Sequence, residues 1–162
     1  MSLAEAPVLG KDCHLYYNSA THSTPTWVEI TKAINVSYKI GKGEAEVTSR
    51  ETSWKLTKGG LKELEITFSY RKKQGADTVF DYLRGKVISG EPAEFWVADG
   101  PAATAGTQGP RAFCEVISLD GKQDLENAEE AEFSLKPTYH EETSVLVQPD
   151  WYQIPPSSSG SP

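Results

Sequence analysis

The sequence is poor in sulfur and in histidine: two cysteines, one methionine and three histidines among 162 residues. Cys13 and Cys114 lie far apart and form no C-x-x-C pair. That spacing gives neither a disulfide framework nor a zinc signature. Both sit in alternating apolar stretches, where a reduced, buried thiol is expected. His14, His22 and His140 make no H-E-x-x-H and no pair at metal spacing, and no Asp-rich calcium loop is present. There is no G-x-S-x-G, hence no nucleophile elbow. Gly41-Lys42-Gly43 and Lys58-Gly59-Gly60 complete neither phosphate-loop pattern and read as turn glycines. The acidic cluster Glu126, Glu129, Glu130 and Glu132 reads as a loop leading into a strand rather than a catalytic carboxylate pair. No catalytic, cofactor-binding or metal-ligating residue is therefore assigned, and an enzyme is not expected.

Long apolar runs and a basic excess are missing too. No run approaches a membrane span and no signal-type leader is seen, so the chain reads as soluble and made inside a cell. Sixteen Lys and Arg against 23 Asp and Glu leave −7, with a pI near 5.0. Such a chain does not hold nucleic acid by counterion release. The charge is segregated. Residues 31–73 carry ten bases and five acids, net +5, while residues 112–162 carry ten acids against Lys122 and Lys136, net −8. Either these are two solvated faces, or the basic part of one copy meets the acidic part of the next.

What the chain does have is strand periodicity. Residues 1–11 read as an arm, 12–139 as one β domain, and 140–162 as an extended tail whose Ser/Gly/Pro end reads as disordered. Asp12 to Tyr17 alternates, with Cys13, Leu15 and Tyr17 on one face and His14 and Tyr16 on the other. Ile34, Val36, Tyr38 and Ile40 alternate with polar residues, and so do Leu64, Ile66, Phe68 and Tyr70. Between them, residues 41–60 read as a long, polar projecting hairpin turning around Thr48 to Ser53 and ended by Gly59-Gly60. Asp77 is a candidate N-cap for one helix over about 77–87, with Val79, Phe80, Leu83 and Val87 as its apolar stripe and Gly85 and Gly90 limiting it. Pro92 to Ala98, Arg111 to Leu119 and Ala128 to Tyr139 are further strands, and 99–110 is a small-residue loop. The expected fold class is mainly β: an antiparallel sandwich or barrel with one flanking helix. The four tryptophans could form a sugar-binding platform, fold back on their own domain, or anchor an interface. Trp54 in the hairpin and Trp151 in the tail fit the last role.

The run Val47-Thr48-Ser49-Arg50-Glu51-Thr52-Ser53-Trp54-Lys55, followed by Gly59-Gly60-Leu61, resembles a T-x-R-x-x-x-W/Y-K stretch and G-L of bacteriophage major tail tube proteins. The order of elements over residues 27–139 is also similar. The resemblance implies six copies closing into a ring, rings stacking into a tube through which DNA passes without specific binding, and a place in the virion tail after synthesis in the host cytoplasm. It also implies other tail proteins as partners, with no cofactor and no membrane. Thr48, Arg50, Trp54 and Lys55 in the loop, and Leu146, Trp151 and Tyr152 in the tail, become candidate subunit-interface residues. Glu63 and Glu65, or Glu130 and Glu132, become candidate lumen-facing residues. The Pro-rich end has no counterpart in that pattern. The competing readings are a monomeric carbohydrate- or receptor-binding β-sandwich module, and a tail terminator that forms a single ring.

Overall fold

A computed structural model describes residues 14–72, 75–122 and 130–155. The expectations for the N-terminal arm, for Cys13, for Glu126 and Glu129, and for the Ser/Gly/Pro end lie outside the described residues.

Among the described residues ten strands and one helix follow in the order β1 (His14–Asn18), β2 (Trp27–Glu29), β3 (Ala33–Glu46), β4 (Thr57–Arg71), α1 (Thr78–Ser89), β5 (Ala93–Ala98), β6 (Gln108–Lys122), β7 (Glu130–Pro137), β8 (Glu141–Glu142), β9 (Val145–Leu146) and β10 (Asp150–Gln153). All but β8 and β9 join one sheet, ordered β2-β1-β5-β6-β7-β4-β3, with β10 added to β6. Every pairing is antiparallel. Among the described residues the sheet does not close into a barrel: β2 and β3 are its terminal strands.

The core follows from alternation. In β4, Leu64, Ile66, Phe68 and Tyr70 point inward and are buried, as their period-2 spacing requires. They meet Phe133 and Leu135 of β7, Cys114 and Val116 of β6, and Phe80 and Leu83 of α1. β5 is buried on both faces. Phe95 and Val97 enter this main core, while Trp96 and Ala98 join Tyr16 in a second cluster on the opposite face. β1 divides likewise, Leu15 and Tyr17 to the main core and Tyr16 to the second. Burial pushes the Cys114 thiol up to about 12, with the nearby Glu94 charge adding to it, so the group stays a protonated thiol.

The helix is set by its caps. Asp77 accepts from the Phe80 N–H at 3.2 Å, and its carboxylate also takes the Tyr70 hydroxyl at 2.8 Å and Lys32 Nζ at 3.5 Å. The helix runs through Gly85 to Ser89 and stops at Gly90, whose φ of 71° is left-handed and whose N–H returns to the Lys86 carbonyl.

Two readings of β3 and β4 need correction. Ile34 does not share a face with Val36, Tyr38 and Ile40. Asn35 takes φ 53°, and a bulge between Ile34 and Ser37 puts Ile34 opposite Ser69, on the polar face. Nor do Gly59 and Gly60 end a loop. β3 and β4 stay paired from Ala33↔Tyr70 out to Glu46↔Thr57, so both glycines lie inside a strand and only 47–56 form the tip.

Candidate assembly surfaces

The first surface is the outer half of the β3–β4 hairpin. β7 pairs with β4 only between Ile66 and Arg71. From Glu65 back to Thr57, β4 has β3 as its single partner among the described residues, a ribbon about 30 Å long at ~3.3 Å per residue. Beyond Leu64, which still reaches the main core, its apolar side chains have no core among the described residues to enter. Trp54 is 76 % exposed and Leu61 88 %, and Val47, Leu56 and Ile40 are exposed as well, as is Tyr38 just inside the ribbon base opposite Ile66. The tip is nonetheless ordered by local bonds. Val47 N–H donates to the Leu56 carbonyl at 2.9 Å, Leu56 N–H to Thr48 Oγ1 at 3.1 Å, and Trp54 N–H to Thr52 Oγ1 at 3.1 Å. Lys55 lies 4.0 Å from Glu46, and Arg50 is exposed. All four loop candidates, Thr48, Arg50, Trp54 and Lys55, thus sit together on one projecting tip.

The second surface is the polar face of β3, β4, β7 and β6. Register puts Lys39 opposite Glu65, Thr67 opposite Ser134, Ser69 opposite Glu132, Arg71 opposite Glu130, and Asp120 opposite Glu132. Glu63 and Glu65 therefore share one face with Glu130 and Glu132, although they looked like alternatives in the sequence. Arg71 Nε reaches Glu130 at 3.4 Å, the Ser37 and Thr67 hydroxyls meet at 2.7 Å, and Ser134 Oγ donates to Glu65 at 3.5 Å. Beside this face, Lys39, Lys62 and Lys136 line a trough with Glu63 and Glu65.

The third is the C-terminal segment. β8 and β9 pair only with each other, leaving Leu146 exposed, and β10 lies along β6 from Asp150↔Arg111 to Gln153↔Gln108. Trp151 is half exposed, with its indole N–H on Gln108 Oε1 at 2.9 Å and its ring edge-on to Tyr38. Tyr152, expected at an interface, packs against Trp27 and Trp96 of its own domain, with centroids 5.8 and 5.2 Å away. A groove of about 620 Å³ opens between the ribbon base and this segment, lined by Ile40, Leu61, Pro110, Pro149 and Trp151 among others.

Beneath β10 lies a charge cluster that sequence reading missed. Glu94 is 1 % exposed in the apolar strand β5. It accepts from Asn18 Nδ2 at 2.8 Å, lies 2.5 Å from His22 Nδ1, and faces Arg111 Nε at 3.9 Å. His22 Nε2 stands 3.4 Å from Arg111 Nη2, so the tautomer with its proton on Nδ1 suits both contacts. Arg111, itself buried, grips Asp150 through Nε at 3.0 Å and Nη2 at 2.7 Å. The one signal in the sequence was a charged residue inside Ala93-Glu94-Phe95-Trp96-Val97, which a half-wet strand would have explained equally well. Among the described residues no group of three or more His, Cys, Asp or Glu could hold a metal ion, and no helix is long and apolar enough to cross a membrane.

No family model matches the chain, and no curated protein matches its sequence. Solved structures do resemble it over most of its length. The SPP1 tail tube aligns with a TM-score of 0.69 at 15 % identity, covering 93 % of this chain and 81 % of that one. A chain from the tail of an empty gene transfer agent particle, refined with C6 symmetry, gives 0.64 at 17 %, covering 86 % and 97 %. A chain of the PVC sheath–tube complex, from an extracellular contractile injection system, gives 0.62 at 12 %, covering 95 % and 99 %. At these identities the likeness establishes the fold, and the fold is that of tail tube proteins.

Proposed function

We propose that this chain is a structural subunit that polymerises with copies of itself into a tail-type tube. Rings of six copies stack around a channel that passes DNA, and the assembly is part of a virion tail. The role is structural rather than catalytic. The observation that carries this reading is the β3–β4 ribbon. It holds Trp54, Leu61 and Val47 in water, with none of the described residues of their own chain covering them. An isolated two-stranded ribbon is marginal in water, and an exposed apolar cluster rimmed by charge marks a protein–protein contact. The shared fold supports the same conclusion, since it recurs in tail tubes and in a C6-symmetric tail.

In this reading the tip residues Thr48, Arg50, Trp54 and Lys55 contact a neighbouring copy, as do Leu146 and Trp151. The free edges of β2 and β3 pair with those of neighbours, which removes the aggregation hazard of an open sheet. The polar face with Glu63, Glu65, Glu130 and Glu132 lines the channel, where its acids repel the phosphate backbone so that DNA slides. Other tail proteins cap the tube. Negative-stain microscopy of concentrated protein tests the proposal. Tubes are the expected result; lone rings would favour a terminator, and single particles alone would remove the reading. Charge reversal of Glu65 and Glu132 should impair genome delivery by assembled particles, and normal delivery would take the channel away from this face.

A further inference from the structure

We infer that the slot on the β6 edge that β10 fills is a strand-docking site for an extended Asp-x-Tyr segment, and that in the assembled protein it is filled by residues 150–153 of a second copy. The exchange rests on the polymer reading above; the slot does not.

The slot has three parts, all supplied by the body of the domain. Its backbone is the β6 edge at residues 108–111, extended by Thr107 and Gly106, which exchange bonds of 2.8 and 3.1 Å with Ile154. Strand addition of this kind supplies affinity through main-chain bonds and specificity through alternate side-chain pockets. The first pocket is Arg111. Its fork meets both oxygens of Asp150, and Glu94 and His22 hold the guanidinium from behind. A buried arginine pre-arranged in this way reads a carboxylate in one orientation. The second pocket takes Tyr152, whose ring lies 4.1 Å beneath the same guanidinium and against Trp96 and Trp27. Trp151, between the two, points outward.

The segment is built to leave. Among the described residues none beyond Leu135 belongs to the main hydrophobic core, so withdrawing β10 leaves that core closed and uncovers only the smaller cluster of Tyr16, Trp96 and Ala98, against which Tyr152 and Ile154 pack. The chain before it is moored separately: Val147 N–H donates to the His140 carbonyl at 2.9 Å, and the His140 ring stacks on Phe113 at 3.8 Å. That leaves exposed Gln148 and Pro149 as the pivot. Short hinges of this sort favour exchange of an element between identical chains. Swung out, residues 150–155 reach about 20 Å at ~3.3 Å per residue. A second copy carries the same acid and the same tyrosine at the same spacing, and polymerisation supplies it at high local concentration. A donor strand on one copy and a slot on the next make a head-to-tail contact, the kind that closes rings.

Gln153 and Gln108 are register partners, at a separation a disulfide can span. Full-length chains carrying Gln108→Cys and Gln153→Cys separately are mixed at high concentration, oxidised with glutathione disulfide and resolved without reductant. Each variant alone sets the background from Cys13 and Cys114. Covalent pairs that require both variants are expected, and they should fall several-fold when Asp150→Asn, a change at an exposed carboxylate, is added to the Gln153→Cys chain. No such pairs in the mixture, with or without tubes, overturns the exchange. Pairs indifferent to Asp150→Asn overturn Arg111 as the reader. Tubes without pairs leave the assembly reading standing and overturn the exchange, whereas pairs without tubes would remove the assembly reading, and with it the exchange in a polymer, and keep only the slot.

Discussion

The inner and outer halves of β3 and β4 share a backbone ladder yet live in different surroundings. Inside, Ile66, Phe68 and Tyr70 are flanked by β7 and covered by α1, and almost none of their surface is exposed. Outside, past Glu65, Leu64 alone still reaches the core, and Ile40, Leu61 and, beyond the last ladder pair, Val47 stand in water. Strand-forming residues occur on both sides of that line, so β propensity does not place the boundary. The boundary is where the β7 ladder begins, at Leu135 opposite Ile66. A core needs a third strand and a cover; a ribbon without them needs another molecule.

Substitutions can break that contrast. The largest loss of stability is expected at Gly109, where a Cβ would stand 1.6 Å from the Val97 carbonyl oxygen. Gly109→Ala must push β5 and β6 apart and should abolish soluble, folded protein, read by circular dichroism after expression. Phe133→Ala, beneath α1 and stacked on Phe68 at 5.1 Å, should cost about 3–5 kcal/mol in denaturant unfolding. Asp77→Ala strips the helix cap and leaves the buried Tyr70 hydroxyl without its acceptor. It should cost about 1–3 kcal/mol by the same measurement. Trp54→Ala on the ribbon should change stability by no more than ~0.5 kcal/mol and still stop polymerisation. A ribbon residue that proved as costly to fold as Phe133 would erase the difference between the halves. The smallest effect is chemical: Cys114, buried with a raised thiol pKa, should react with a thiol reagent only as fast as the domain unfolds.

Much of this was legible in the sequence, for identifiable reasons. β4 was readable because one face of it is dry, and the helix because Asp77 and Gly90 punctuate it. The ribbon was not, since both its faces are wet and alternation disappears; its glycines then imitate a loop. The Asn35 bulge was hidden because Ile34 and Val36 keep perfect alternation while the backbone between them does not. Of the candidate assembly surfaces, the tip residues stood together because they are contiguous. The union of Glu65 with Glu132 depended on register, which periodicity alone does not fix. The Glu94–Arg111–Asp150 cluster joins residues from strands remote in sequence, and the seat of Tyr152 against Trp27 and Trp96 is of the same kind.

The most direct test of the central claim, that the outer ribbon serves assembly and not folding, is to replace Gly43–Lys58 with a two-residue Asn-Gly turn and to compare melting and microscopy with the parent chain. The account predicts a domain that melts close to the parent temperature and forms no tubes. Tubes indistinguishable from those of the parent, or a shortened chain that cannot fold, would contradict it.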